Sequence, residues 1–181
     1  MKLQDAVLSG LGCRYYTSAN KVLRGSEADR KLDMFLTPTD AVPPGGEHDW
    51  SNVLLIGEHK QNPDEDDSSK TLIQLAGYAR EVFGSQPDRR FVPGFTICGS
   101  LMRLWMFDRS GAYNSEKFDI HKEPEQFAKV IAGRDRWLSE GGGVLRVILD
   151  VPVQIHCQFQ WQFCINWNTS NINDLVSPCF I

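Results

Sequence analysis

"VLLIGEHK", residues 53–60, runs four aliphatic side chains and a glycine into a carboxylate, an imidazole and an ammonium, with no turn residue between Glu58 and Lys60. A short apolar run of this kind reads as a strand buried in a sheet. Alternate residues of a strand share a face. Glu58 and Lys60 therefore point the same way as Ile56, and the strand ends by delivering opposite charges to one side of the sheet.

Downstream, "QNPDEDDSS" (61–69) reads as an acidic, solvated loop. The next stretch, "KTLIQLAGYAREVFG" (70–84), repeats Leu72, Leu75, Ala76, Ala79, Val82 and Phe83 at helical spacing, with Ser68 or Ser69 to cap it and Gly84 at its end. "RFVPGFTIC" and "LMRLWMFD" predict two strands joined at Cys98-Gly99-Ser100, and a third short strand is expected to follow the turn at Arg109-Ser110-Gly111, ending in "KFDI". "EPEQFAKVIAG" (123–133) predicts a helix with Pro124 near its start. Upstream, "TPTDAVPPGGEHDW" (37–50) is a loop and "KLDMFL" (31–36) a short strand. Residues 1–30 are weakly patterned and read as an extension, helical or frayed. The order strand, strand, helix, strand, strand predicts an α/β domain with a central mixed sheet flanked by helices.

The Glu-x-Lys pair suggests a chemistry. Carboxylates gathered with an ammonium at a sheet end suit metal-assisted phosphodiester hydrolysis. Carboxylates bind Mg²⁺ through hard oxygens, the metal helps generate hydroxide, and a lysine orients water or stabilises developing negative charge. Asp33, on the preceding strand, is the best second carboxylate. Asp40 and Asp49 lie in the loop and are weaker. Gln74 and Tyr78 are four apart and share one helix face, so an amide and a phenol can extend the network. The candidate site is thus Asp33, Glu58, Lys60, Gln74 and Tyr78, with Asp33 and Glu58 as the metal ligands and Mg²⁺ as the cofactor if the site is active. The competing reading makes Glu58 and Lys60 an ion pair worth about 0–1 kcal/mol if exposed.

Composition bounds these readings. The 181 residues suffice for one domain with a sizeable core. A net charge of -4 gives no support to a nucleic-acid partner through a chain-wide basic surface. No apolar run approaches the roughly 18 residues of a membrane span, and Asp5 interrupts what would be a signal-peptide core. The expectation is an intracellular protein, cytoplasmic or nuclear, with no membrane partner. Five scattered cysteines fit free thiols. Arg89, Arg90 and Arg103 are expected on a solvated face, Trp105 and Phe107 in packing. His156, Cys157, Cys164 and Cys179 have a spacing that fits no common zinc pattern.

Asp33, Glu58-His59-Lys60 and Gln74…Tyr78 resemble, in order, the motif set of the P-D-(D/E)-x-K nuclease superfamily, its RecB-like branch in particular, except that Leu32 stands where that set has proline. The resemblance implies a restriction-endonuclease-like fold. Longer blocks, "WSNVLLIGEHK", "LIQLAGYAREVFGSQPDRRFVPGFTICGSLMRLWMFDRSG" and "FDIHKEPEQF", resemble the N-terminal part of the fungal-type protein kinase family. That resemblance implies a module at 31–138 associated with a kinase domain, attached or separate, or with another protein partner. A kinase core needs a Gly-rich loop, a strand lysine, His-Arg-Asp and Asp-Phe-Gly. "GGGVLR" (141–146) and "DRSG" (108–111) do not supply them. The expectation is an accessory, partner-binding or regulatory module truncated before the kinase core, or alternatively a Mg²⁺-dependent nuclease. Residues 139–181 contain no lysine and a polar-aromatic run, "QIHCQFQWQFCINWN". They are expected to be a divergent tail, disordered or a misassembled stretch of the gene.

Overall fold

A computed structural model describes residues 12–18, 21–25, 30–41 and 47–132, and two short strands beyond them. In chain order the strands are β1 (Cys13–Thr17), β2 (Met34–Pro38), β3 (Leu55–Lys60), β4 (Phe91–Cys98), β5 (Leu101–Asp108), β6 (Ala112–Asn114) and β7 (Phe118–Asp119). The helices are α1 (Ser69–Ser85) and α2 (Pro124–Ala132). The strands form one seven-stranded sheet in the order β1-β2-β3-β4-β5-β6, with β7 also on β5. All neighbours are antiparallel except β3 and β4, which run parallel. A parallel pair requires a crossover connection, and α1 supplies it. The architecture is α/β, an open mixed sheet consistent with the restriction-endonuclease-like type.

Period-2 alternation divides the sheet into two apolar faces. Phe35, Ile56, Val92, Trp105 and Phe107 pack with Leu75, Tyr78, Ala79 and Val82 of α1. Leu36, Leu55, Phe95, Leu104 and Met106 pack on the other side with Phe118 and Val130, the latter from α2. Each large aliphatic or aromatic side chain buried in these clusters contributes about 1.5–3 kcal/mol. Ser68 caps α1 as expected, its hydroxyl accepting from the Lys70 amide. The helix runs one residue past Gly84, and Gln86 closes it by donating its amide to Val82 O. The expected β4–β5 hairpin forms around Gly99-Ser100. Gly99 has φ +60, and a Cβ there would stand 2.6 Å from Pro63, so both backbone and space select glycine.

Four local expectations are corrected. Strand β2 lies at Met34–Pro38 rather than 31–36, which puts Asp33 just before the strand. Cys13–Thr17, expected within a helical or frayed extension, pairs antiparallel with β2 as β1. The acidic stretch after β3 holds a 3₁₀ turn at Pro63–Asp67, and Asp66 in it is buried. Arg103 is buried against that aspartate, and Arg89 is partly buried, donating to the carbonyls of Val53, Leu54 and Phe91. Arg90 and His121 are exposed. Of the tail from 139 onward, the structure describes only the antiparallel strands β8 (Phe163–Cys164) and β9 (Ser177–Pro178). The zinc question falls outside the described residues. No described helix is long and apolar enough to cross a membrane.

Candidate functional site

The site lies where β3 ends on the α1 face. Glu58 and Lys60 follow Ile56 on that face, and α1 crosses it with Gln74 and Tyr78 aligned. Glu58 is completely buried, whereas the Lys60 side chain keeps 29% of its exposure. Lys60 Nζ stands 2.6 Å from Glu58 Oε1. The same ammonium donates to Gln74 Oε1 at 3.0 Å. Gln74 Nε2 donates to the Tyr78 hydroxyl at 2.7 Å, and that hydroxyl donates to the Lys31 carbonyl at 2.7 Å. A directional chain of donors therefore links β3, α1 and the backbone just before Asp33.

Asp33 enters from the other side. Its Oδ2 accepts from the His59 amide at 3.2 Å, which ties the approach to β2 onto β3. Its charge acts on Glu58, Lys60 and Tyr78 alike. Asp33, Glu58, Lys60, Gln74 and Tyr78 are thus brought together. Asp40 is exposed in a turn at Thr39–Ala41, and Asp49 caps the turn at Trp50–Asn52 by accepting from the Ser51 amide. Neither joins the site.

The electrostatics follow from burial. Loss of water pushes the Glu58 carboxyl above its ordinary value; the Lys60 ammonium against it offsets only part of this, and the Asp33 charge adds to the rise. Burial pulls Lys60 downward, but its close contact with the Glu58 carboxylate and the further negative charges of Asp33 and Glu65 outweigh that and raise it. Burial also raises Tyr78, which stays a phenol at neutral pH. Among the described residues neither Glu58 oxygen has a partner with hydrogen-bond geometry, the Lys60 contact being an ion pair alone. Thr71, three residues before Gln74 on the same helix face, also has a buried hydroxyl without a partner among the described residues.

Thr96, Arg103 and Asp66 are neighbours that sequence reasoning missed. Thr96 of β4 lies opposite Glu58 in the parallel register. Its hydroxyl accepts from Trp105 Nε1 at 3.1 Å. Arg103 of β5 lies opposite Thr96 and grips Asp66. The Thr96–Arg103 pairing is readable from the hairpin loop, because Cys98 opposite Leu101 fixes it. The Glu58–Thr96 pairing is not, since nothing local sets a parallel register.

The carboxylates present fit a divalent cation in chemistry, with hard oxygens and, in Glu58 Oε2, a buried acceptor without a hydrogen-bond partner among the described residues. Asp33 and Glu58 would hold it. Among the described residues, no group of three or more His, Cys, Asp or Glu side chains gathers as a metal site.

No curated protein and no solved structure matches the chain. The family model described as Fungal protein kinase matches residues 31–139, more than half of the 181 residues and the whole of the segment that builds β2 to α2. The chain therefore belongs to the fungal protein kinase family.

Proposed function

We propose that residues 31–139 form an accessory module, regulatory or partner-binding, of a fungal protein kinase, in which the Asp33–Glu58–Lys60 set serves as an internal polar clasp rather than a catalytic centre. The observation that carries this reading is the complete burial of Glu58, whose Oε1 is paired with Lys60 Nζ 2.6 Å away. A hydrolytic site must admit substrate and water to its carboxylates, and here Glu58 exposes no surface and one of its oxygens is already taken by the lysine. The clasp's donors are satisfied in series through Gln74, Tyr78 and Lys31 O. Such a network joins three segments distant in sequence and fixes their packing. The sequence also lacks the motif sets of a kinase core. The partner in this reading is a kinase domain, attached or separate, or another protein.

A second reading, a Mg²⁺-dependent nuclease, is favoured by one observation, a buried Glu58 carboxylate that accepts no hydrogen bond among the described residues and feels the Asp33 charge. A Mg²⁺ held by Asp33 and Glu58 would supply a hydroxide-generating Lewis acid. Lys60 would then stabilise negative charge, and Gln74 would position Lys60.

The full chain, incubated with single- and double-stranded DNA in Mg²⁺ and in Mn²⁺, separates the two readings. The accessory reading expects no cleavage above that of Lys60→Ala. Cleavage by the original chain that disappears in Lys60→Ala establishes the nuclease instead.

A further inference from the structure

We propose that Lys60 is a tethered internal cation that closes the Asp33–Glu58 pair to divalent metal, so that the folded chain is metal-indifferent and removal of the ammonium creates a divalent-cation site. The inference rests on the non-catalytic reading above and adds the device that enforces it.

The geometry carries it. Hard divalent cations sit about 2.0–2.6 Å from carboxylate oxygens. Lys60 Nζ lies 2.6 Å from Glu58 Oε1, so the ammonium already stands where a bound ion would. It is not a free side chain that thermal motion swings aside. Gln74 Oε1 accepts from it at 3.0 Å, the Gln74 amide is held by Tyr78, and Tyr78 is anchored on the Lys31 carbonyl. Three successive bonds from α1 and the β2 approach aim the ammonium at Glu58. Glu58 has no exposed surface of its own, so an ion coming from solvent must open the packing around a carboxylate that Lys60 already holds.

Charge leads the same way. Asp33 and Glu58 carry two negative charges and Lys60 one positive. Glu65 adds a further negative charge acting on Lys60, so the obstacle is local rather than one of net charge: an ion reaching Glu58 meets an ammonium 2.6 Å from the same carboxylate, and like charges that close repel strongly in a largely buried place. With the ammonium gone, the two carboxylates face the ion without that repulsion. Glu58 Oε2, buried and without a hydrogen-bond partner among the described residues, is the acceptor left for the ion.

The test is a set of thermal melts on the full chain, from chelator to millimolar Mn²⁺. The original chain is expected to melt at one temperature throughout. Lys60→Met is expected to gain stability with Mn²⁺, its folded-to-unfolded ratio rising about tenfold per tenfold increase in ion beyond saturation. Lys60→Met/Glu58→Gln is expected to stay flat. A Lys60→Met melt that ignores Mn²⁺, or an original chain that responds as strongly as Lys60→Met, overturns the proposal. If Lys60→Met does not fold in chelator, refolding in Mn²⁺ decides: recovery of the folded variant supports the inference, and no recovery overturns it. DNA cleavage by the original chain would end the non-catalytic reading, whereas a flat Lys60→Met melt ends only this inference.

Discussion

Arg103 and Asp66 meet across 37 residues of sequence, with Arg103 Nε 3.0 Å and Nη2 2.5 Å from the same carboxylate oxygen, Oδ2. Asp66 has no side-chain exposure and Arg103 has 10%. The pair ties the turn after β3 to the middle of β5. Removing Arg103 leaves the buried Asp66 carboxylate with only the Lys117 ammonium, 3.8 Å away, and breaking a buried pair costs about 3–5 kcal/mol. Arg103→Ala is expected to lower stability by that amount in urea melts. Arg103→Ala/Asp66→Ala should recover a large part of the loss, because no stranded charge remains.

Tyr78→Phe isolates the hydroxyl that receives Gln74 and reaches Lys31 O. The ring stays packed against Trp50, 6.2 Å between centroids, so only the hydrogen bonds change. A loss of about 0.5–1.5 kcal/mol is expected. If melts of the variant match the original, the chain from Lys60 to Lys31 contributes nothing to stability.

Gly57 in β3 leaves no room for a side chain. A Cβ there would stand 2.6 Å from the Phe95 ring on β4. Gly57→Ala is expected to cost about 1–3 kcal/mol by overpacking, and Gly57→Ala/Phe95→Leu should recover part of it. The measurement is the denaturation midpoint of each variant.

Asp119, on β7 beside the Gly99-Ser100 turn, gives a pH signature. Its Oδ1 accepts from the His121 and Lys122 amides and its Oδ2 from the Ser100 hydroxyl. These bonds, His121 first, hold its carboxyl below the ordinary 3.8. The folded state then binds this proton less readily than the unfolded state. Its contribution is therefore complete above pH 3.8 and is lost as pH falls through the lower folded value. Carbon-detected NMR titration should place the Asp119 midpoint below 3.8, and Ser100→Ala should move it upward.

Much of this was legible locally. β3, α1, β4, β5 and α2 announce themselves through apolar runs, helical spacing, the Ser68 cap and the Gly99-Ser100 turn. Site residues Glu58, Lys60, Gln74 and Tyr78 follow from period-2 and i, i+4 geometry alone. What escaped depends on partners far away. "PDEDD" looks solvated because carboxylates are seldom buried unless paired, and the pair for Asp66 is Arg103. β1 has only five residues, partly or fully exposed, so its pattern is weak until β2 is beside it. The β2 boundary moved because Asp33, within the apolar alternation, is drawn off by the His59 amide. The closure of Glu58 by Lys60 was not legible either, since strand periodicity assigns a face but not an exposure.

The parallel pairing of β3 with β4 has a consequence for how the chain comes off the ribosome. β3 is complete at Lys60, but β4 begins only at Phe91, about thirty residues later. At about 5–20 residues per second, that gap is several seconds. During it "VLLIGEHK" has no neighbour on its β4 side, and an unpaired apolar strand is a template for pairing with other chains. The charged end of β3 then acts as a gatekeeper before it acts as a clasp, because charges beside a hydrophobic strand discourage such association. Chains carrying both Glu58→Gln and Lys60→Met would be expected to aggregate more during synthesis than their equilibrium stability alone would suggest.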